Sequence, residues 1–222
     1  MAAHYYIEKD GRVFLVEREG RLCFPTDMGE MPFKFRVRKT MPFSDATVIN
    51  CEPLIPFPNE WPATDDVIMM DNVDPLVRRS LWKAKPMLAV DAIIERGGKI
   101  LAVKPNRGWG EMHWKLPGGV VSYAEPLDRA VDREVLEETG MRVTSKKPAL
   151  ALSKAFPGSE MWFTAFIYLC EARGEPKPAA DEIADARFIS RSELLKSTNS
   201  PFVVHALKEL KSAKPFRIMS LD

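Results

Sequence analysis

The stretch that decides this chain is Gly119-Val-Val-Ser-Tyr-Ala-Glu125-Pro-Leu-Asp-Arg-Ala-Val-Asp-Arg133-Glu134-Val-Leu-Glu137-Glu138-Thr-Gly140-Met141. Pro126 suits the first turn of a helix, where its missing N–H costs nothing, and Gly140 suits the C-terminal stop. A helix is therefore expected between Glu125 and Gly140. At about 100° per residue, Glu134, Glu137 and Glu138 fall within an arc of roughly 100°. Leu127, Val131 and Val135 form an adjoining apolar stripe that can seat the helix on a sheet. Three carboxylates on one face repel one another, and a hard divalent cation with oxygen ligands relieves that repulsion. Arg133 adds partial neutralisation and can grip a carboxylate bidentately.

Acidic helix faces are usually just solvated. Here the spacing decides otherwise. The segment resembles the Nudix box, G-x5-E-x7-R-E-U-x-E-E-x-G-U with U a bulky aliphatic residue. Gly119, Glu125, Arg133, Glu134, Val135, Glu137, Glu138, Gly140 and Met141 occupy every specified position. The flanks agree. Trp114-Lys115-Leu116-Pro117-Gly118-Gly119 resembles the usual W-x-L-P-G-G lead-in. Asp181-Glu182-Ile183, Ala186 to Ile189 and Glu193-Leu194 resemble the segment that often closes the domain. The resemblance covers about Met87 to Lys211.

That resemblance implies a Mg²⁺-dependent hydrolase of a diphosphate linkage, with Mn²⁺ as an alternative ion. It implies Glu134 and Glu138 as metal ligands, Glu137 joining them in some members, and the Gly119 carbonyl completing the site. Glu125 is expected to support the loop–helix geometry and Arg133 to hold a glutamate in place. The general base is either a box glutamate or a later acidic residue, for which Glu182 is the candidate.

Substrate choice must come from outside the box. Pro157, sixteen residues after Met141, resembles a marker of ADP-ribose pyrophosphatases, although a proline there is equally consistent with a simple turn. Arg107 and Lys104 follow the second strand of the domain and are candidates for phosphate, Arg107 foremost. Phe156, Trp109 and Trp114 are candidates for stacking, against a plain core role. His113 is expected to be structural. The leading substrate is ADP-ribose or another nucleoside diphosphate sugar. The alternatives are a nucleoside triphosphate or dinucleoside polyphosphate hydrolase and a non-catalytic Nudix ligand sensor.

Around this centre the chain divides by texture. Residues 87–222 alternate strands and helices: Met87 to Glu95, a Gly97-Gly98 turn, Lys99 to Val103, Met161 to Cys170, Ala186 to Ile189, then helices capped near Ser190 or Ser192 and over Pro201 to Leu210. The expected fold class is α/β, a Nudix α/β/α sandwich with a mixed sheet. Residues 1–86 read as a small β-rich domain, with hairpins at Asp10-Gly11 and Glu19-Gly20 and a proline-rich loop over Pro53 to Pro62. A short helix is expected from Asp74-Pro75 to Lys83. The resemblance implies that this domain covers the site or mediates a homodimer.

Composition narrows the field further. The 222 residues carry 32 Lys and Arg against 31 Asp and Glu, so nothing points to a nucleic-acid or membrane partner. Cys23, Cys51 and Cys170 form no C-x-x-C pair and read as reduced thiols. No signal peptide or ~20-residue apolar span is evident, and a cytoplasmic protein acting on a small nucleotide is expected.

Overall fold

The computed structural model describes residues 3–108, 111–155, 162–178, 180–210 and 217–220. The chain forms two compact units, Met1–Lys85 and Pro86–Asp222. In the first, β1 (Ala3–Lys9) turns at Asp10-Gly11 into the two-residue β2 (Arg12–Val13), and β3 (Val16–Arg18) turns at Glu19-Gly20 into β4 (Arg21–Cys23). All four turn residues have positive φ, between 52° and 76°, the backbone that a two-residue hairpin turn of the primed type demands. Two strands escape the sequence reading: β5 (Phe35–Pro42) and β6 (Thr47–Pro53). Polar and basic residues interrupt their apolar runs, so neither presents the clean alternation that marks a strand.

The sheet order is β2-β1-β6-β5, with β1 and β6 parallel. Tyr6 and Val48 bury one face under α1 (Thr64–Met69) and α2 (Pro75–Ala84), through Val67, Val77 and Leu81. On the other face, Tyr5, Ile7 and Cys51 pack with Phe14, Phe33 and Trp61. The Asp74 carboxylate accepts from the Leu76 N–H and caps α2, with Pro75 in its first turn.

The second unit is built on a mixed sheet ordered β12-β8-β7-β11-β10-β13, with β9 pairing β7 from off that path. Its strands are β7 (Met87–Arg96), β8 (Lys99–Pro105), β9 (Gly118–Val120), β10 (Arg142–Ala155), β11 (Trp162–Arg173), β12 (Ile183–Ser190) and β13 (Arg217–Ser220). Alternation along β7 sets the two faces. Val90, Ala92 and Ile94 pack with Ala130, Val131 and Val135 of α3 (Leu127–Thr139). Ile93 packs instead with Leu194 of α4 (Arg191–Ser197) and with Phe202, Val203, Ala206 and Leu207 of α5 (Pro201–Glu209). Helices on both faces of a mixed sheet make an α/β/α sandwich.

The long strand β10 has no counterpart in the sequence reading. Lys146-Lys147-Pro148 sits in its middle, and proline argues against a strand. The ladder accommodates it with a register shift between Pro148 and Leu150. The central helix is also one residue shorter at its start than expected. Pro126 holds an extended backbone (φ −63°, ψ 140°) as the cap, α3 begins at Leu127, and Glu125 precedes the helix. At the other end Gly140 closes it in the left-handed conformation, φ 68°. Among the described residues no helix is long and apolar enough to cross a membrane, and all three cysteines are free thiols.

Candidate active site

Two glycines set how closely α3 approaches the sheet. A Cβ on Gly118, whose φ is 155°, would lie 2.1 Å from the Val90 carbonyl oxygen and 2.7 Å from Asp91. Only glycine lets β9 lie this close to β7. A Cβ on Gly119 would lie 2.6 Å from Glu134 Oε1 and 2.8 Å from its Cδ, so the Glu134 carboxylate rests against the Gly119 backbone.

Arg133 ties the acidic residues together. Its Nε and Nη2 donate to the two oxygens of Glu125 at 2.8 and 2.9 Å, a bidentate grip. Nη1 donates to Glu134 at 2.7 Å and to Glu137 at 3.0 Å, and Nη2 also reaches the Val120 carbonyl at 3.1 Å. These bonds, with one from the Ser122 N–H, hold the Glu125 carboxyl down at about 2. Glu125 in turn raises the Arg133 guanidinium above its already high value.

Glu138 is bonded differently. Its side chain is 5% exposed. One oxygen accepts from the Gly118 N–H at 2.9 Å, the other from Lys115 Nζ at 2.8 Å. Lys115 also donates to the Gly118 carbonyl at 3.0 Å, and its backbone is bridged to Val103. Burial pushes the carboxyls of Glu134 and Glu138 up, Arg133 and Lys115 respectively opposing it. Burial pulls the Lys115 ammonium down, but Glu138, Asp91 and Glu134 outweigh it and hold it above its usual range.

Glu138 and Lys115 open onto a cavity of 410 Å³, whereas Glu125, Arg133 and Glu134 do not line it. Asp91, Lys115, Gly118, Gly119 and Glu138 line its polar end, and Arg107 and Glu182 line it as well. The two separate loops that carry Arg107 and Glu182, after β8 and before β12, are tied to each other by Asn106, whose N–H donates to the Glu182 carbonyl and whose side-chain amide donates to the Ala180 carbonyl. Ala89, Phe163, Ala165, Phe202 and Val203 supply an apolar wall, and Asn199 and Ser200 lie at the start of α5 beside it.

Several expected residues lie elsewhere. Glu137 is half exposed, bonded to Arg133, and does not line the cavity. Lys104 does not line it either: its ammonium lies 4.8 Å from the centre of the Trp114 ring, which Arg187 also covers at 5.0 Å. Trp114 is buried in the core rather than free to stack on a ligand. His113 is exposed, its ring bonded locally to the Glu111 carbonyl. Phe156, Pro157 and Trp109 lie outside the described residues.

Asp91 and Lys115 were not anticipated. Asp91 is the lone acid between Met87 and Ile94, and an acid in an apolar strand is itself a signal. Lys115 stands at the unspecified position of the lead-in, where pattern matching passes over it.

The donor set suits a hard divalent cation: the carboxylates of Glu134, which rests against the Gly119 backbone, and of Glu138, which is bonded to the neighbouring Gly118 N–H, are all-oxygen ligands. Among the described residues no three His, Cys, Asp or Glu side chains converge as a ready cage. Arg133 and Lys115 hold the carboxylates instead. Binding an ion there requires the carboxylates to exchange partners, not new ligands.

A NUDIX domain model matches residues 85–210, more than half of the chain. The chain is 31% identical over 111 residues to an ADP-ribose pyrophosphatase of Methanocaldococcus jannaschii, covering 50% of this chain and 66% of that one. It is 37% identical over 110 residues to an NAD-capped RNA hydrolase, NudC, of Vibrio vulnificus, covering 50% of this chain and 40% of that one. The match thus spans just under two thirds of the first relative and two fifths of the second. Among solved structures, a MutT Nudix hydrolase from Burkholderia pseudomallei superposes with a TM-score of 0.50 at 27% identity, over 57% of this chain and 99% of that one. The chain belongs to the Nudix family of hydrolases.

Proposed function

We propose that this chain is a divalent-cation-dependent pyrophosphohydrolase that cleaves a nucleoside diphosphate joined to a second moiety, foremost ADP-ribose or a nucleoside diphosphate sugar. The observation that carries the reading is one cavity with the Glu138 carboxylate and the Gly119 backbone at its polar end, Arg107 and Glu182 on its lining and an apolar wall beyond. The name of the archaeal relative points the same way.

Mg²⁺, or Mn²⁺ in its place, would be held by Glu134, Glu138 and the Gly119 carbonyl, with Glu137 as an outer contributor. Once bound, the ion supplies charge neutralisation of the diphosphate and acidifies water. The protein's own groups do the rest. Arg133 fixes Glu125 and Glu134, so the acidic face keeps its shape as charge develops. Arg107 offers a planar pair of N–H donors to phosphate oxygens. Glu182 is the acceptor for the proton of the attacking water. Phe163 and Phe202 supply a dry surface for the part of the substrate that carries no phosphate.

Glu138→Gln keeps the shape and removes the charge. A panel of nucleotides with Mg²⁺ is expected to show hydrolysis abolished in this variant, with the circular dichroism of the fold retained. Robust turnover by Glu138→Gln would remove the assigned role. ADP-ribose yielding AMP and ribose phosphate supports the substrate; exclusive conversion of a triphosphate to monophosphate and pyrophosphate overturns it.

A further inference from the structure

We propose that Lys115 is a resident counter-cation of the acidic site: it holds Glu138 while no divalent ion is bound, yields that carboxylate when one arrives, and then presents its ammonium to a phosphate oxygen of the substrate. The inference rests on the divalent-ion reading above and assigns a role to a side chain that lies outside the box.

The geometry gives Glu138 two partners of unequal freedom. The Gly118 N–H is fixed, because Gly118 pairs with Asp91 across β9 and β7 and has no room to shift. Lys115 Nζ, 2.8 Å from the other oxygen, rides on a flexible four-carbon stem. Of the two, only the lysine can withdraw.

Its backbone stays anchored on Val103 while the head group moves. A destination exists too, because Lys115 lines the same cavity as Arg107. Charge argues in the same direction. Arg133 is committed to Glu125, Glu134 and Glu137. That leaves Lys115 as the cation bonded to the buried Glu138, and a buried carboxylate without a counter-charge is costly. A monovalent ammonium meets that need but is a poor activator of water. Two cations drawn to one carboxylate repel, so the lysine must weaken ion binding in the resting protein and be pushed toward the phosphates in the loaded one.

The test is Mn²⁺ binding by calorimetry to the full, metal-free chain, with no nucleotide present, followed by steady-state kinetics. Lys115→Met is expected to bind Mn²⁺ about tenfold more tightly than the unaltered protein, through relief of that repulsion. KM for the diphosphate substrate is expected to rise about tenfold with a smaller effect on kcat, reflecting a lost phosphate contact. Lys115→Arg, which keeps the charge, should stay near the unaltered protein in Mn²⁺ affinity. If Lys115→Met fails to fold, Lys115→Gln retains an N–H for Glu138 without the charge and carries the same expectation. Unchanged or weaker Mn²⁺ binding in the neutral variants overturns the proposal, as does a Lys115→Arg protein that behaves like them. Glu138→Gln in the same titration separates the two readings: Mn²⁺ affinity untouched by that change overturns the metal site itself, whatever Lys115 does.

Discussion

Asp91 shows how a single side chain couples this site to pH. It sits on the central strand of the second unit, facing the cavity. Burial pushes its carboxyl up to about 7, Lys115 opposing and Glu138 and Glu134 adding to the rise. An acid whose folded value lies above its unfolded value favours the protein at low pH. The advantage is complete below about 4 and is lost as pH climbs to about 7. Glu134 and Glu138 are raised in the same direction. Glu125, held down at about 2, works oppositely: its contribution is present above the ordinary carboxylate range and fades only in strong acid. Asp91→Asn removes one of the raised groups. Urea unfolding of the metal-free protein at pH 5, 6, 7 and 8 should therefore show a shallower decline for the variant. The difference in slope should reach at most about 1.4 kcal/mol per pH unit, the limit for one proton. Parallel curves would show that Asp91 carries no such linkage.

At the scale of elements, the junction of β9 with α3 sets the geometry of the acidic face. Gly118 meets backbone, whereas Gly119 meets only the end of the Glu134 side chain. Gly119→Ala is therefore expected to displace that carboxylate while leaving the sheet intact. A misplacement on this scale should lower kcat by about 10²-fold, against a stability loss of about 1–3 kcal/mol from overpacking. Wild-type kcat in a folded Gly119→Ala protein would mean that Glu134 need not lie against this backbone. The same junction marks how far the sequence could be read. Elements with local signals were legible: the Gly140 stop, the Asp74 and Ser190 caps, and the two-residue turns at Asp10-Gly11 and Glu19-Gly20. Elements defined by distant partners were not. β9 is three residues of glycine and valine whose identity comes from pairing with β7. β10 hides behind Pro148, and β5 and β6 behind broken alternation. The acidic face was legible because helical spacing places it. Asp91 and the apolar wall of Phe163 and Phe202 were not, because the sheet gathers them from positions far apart in the chain.

For the molecule as a whole, two units with separate cores make a thermodynamic statement. Ile7 lies in the core of the first and Ile167 in that of the second, both fully buried. Differential scanning calorimetry is expected to resolve two transitions. Ile7→Ala should lower one and Ile167→Ala the other, each by about 2–5 kcal/mol. A ligand stabilises only what binds it, so Mn²⁺ should raise the Ile167-sensitive transition alone. One transition that both variants shift equally would show the units to be coupled in a single cooperative fold.

The ion pairs around α3 bear on how the protein can be handled. Small metal-organised domains lose their architecture to a chelator, because the ion is their scaffold. Here the counter-ions of the acidic face are covalently part of the chain, as the guanidinium of residue 133 and the ammonium of residue 115. EDTA should then act as a reversible off switch that silences turnover and leaves an intact, storable protein, with activity restored on adding Mg²⁺ and no refolding step.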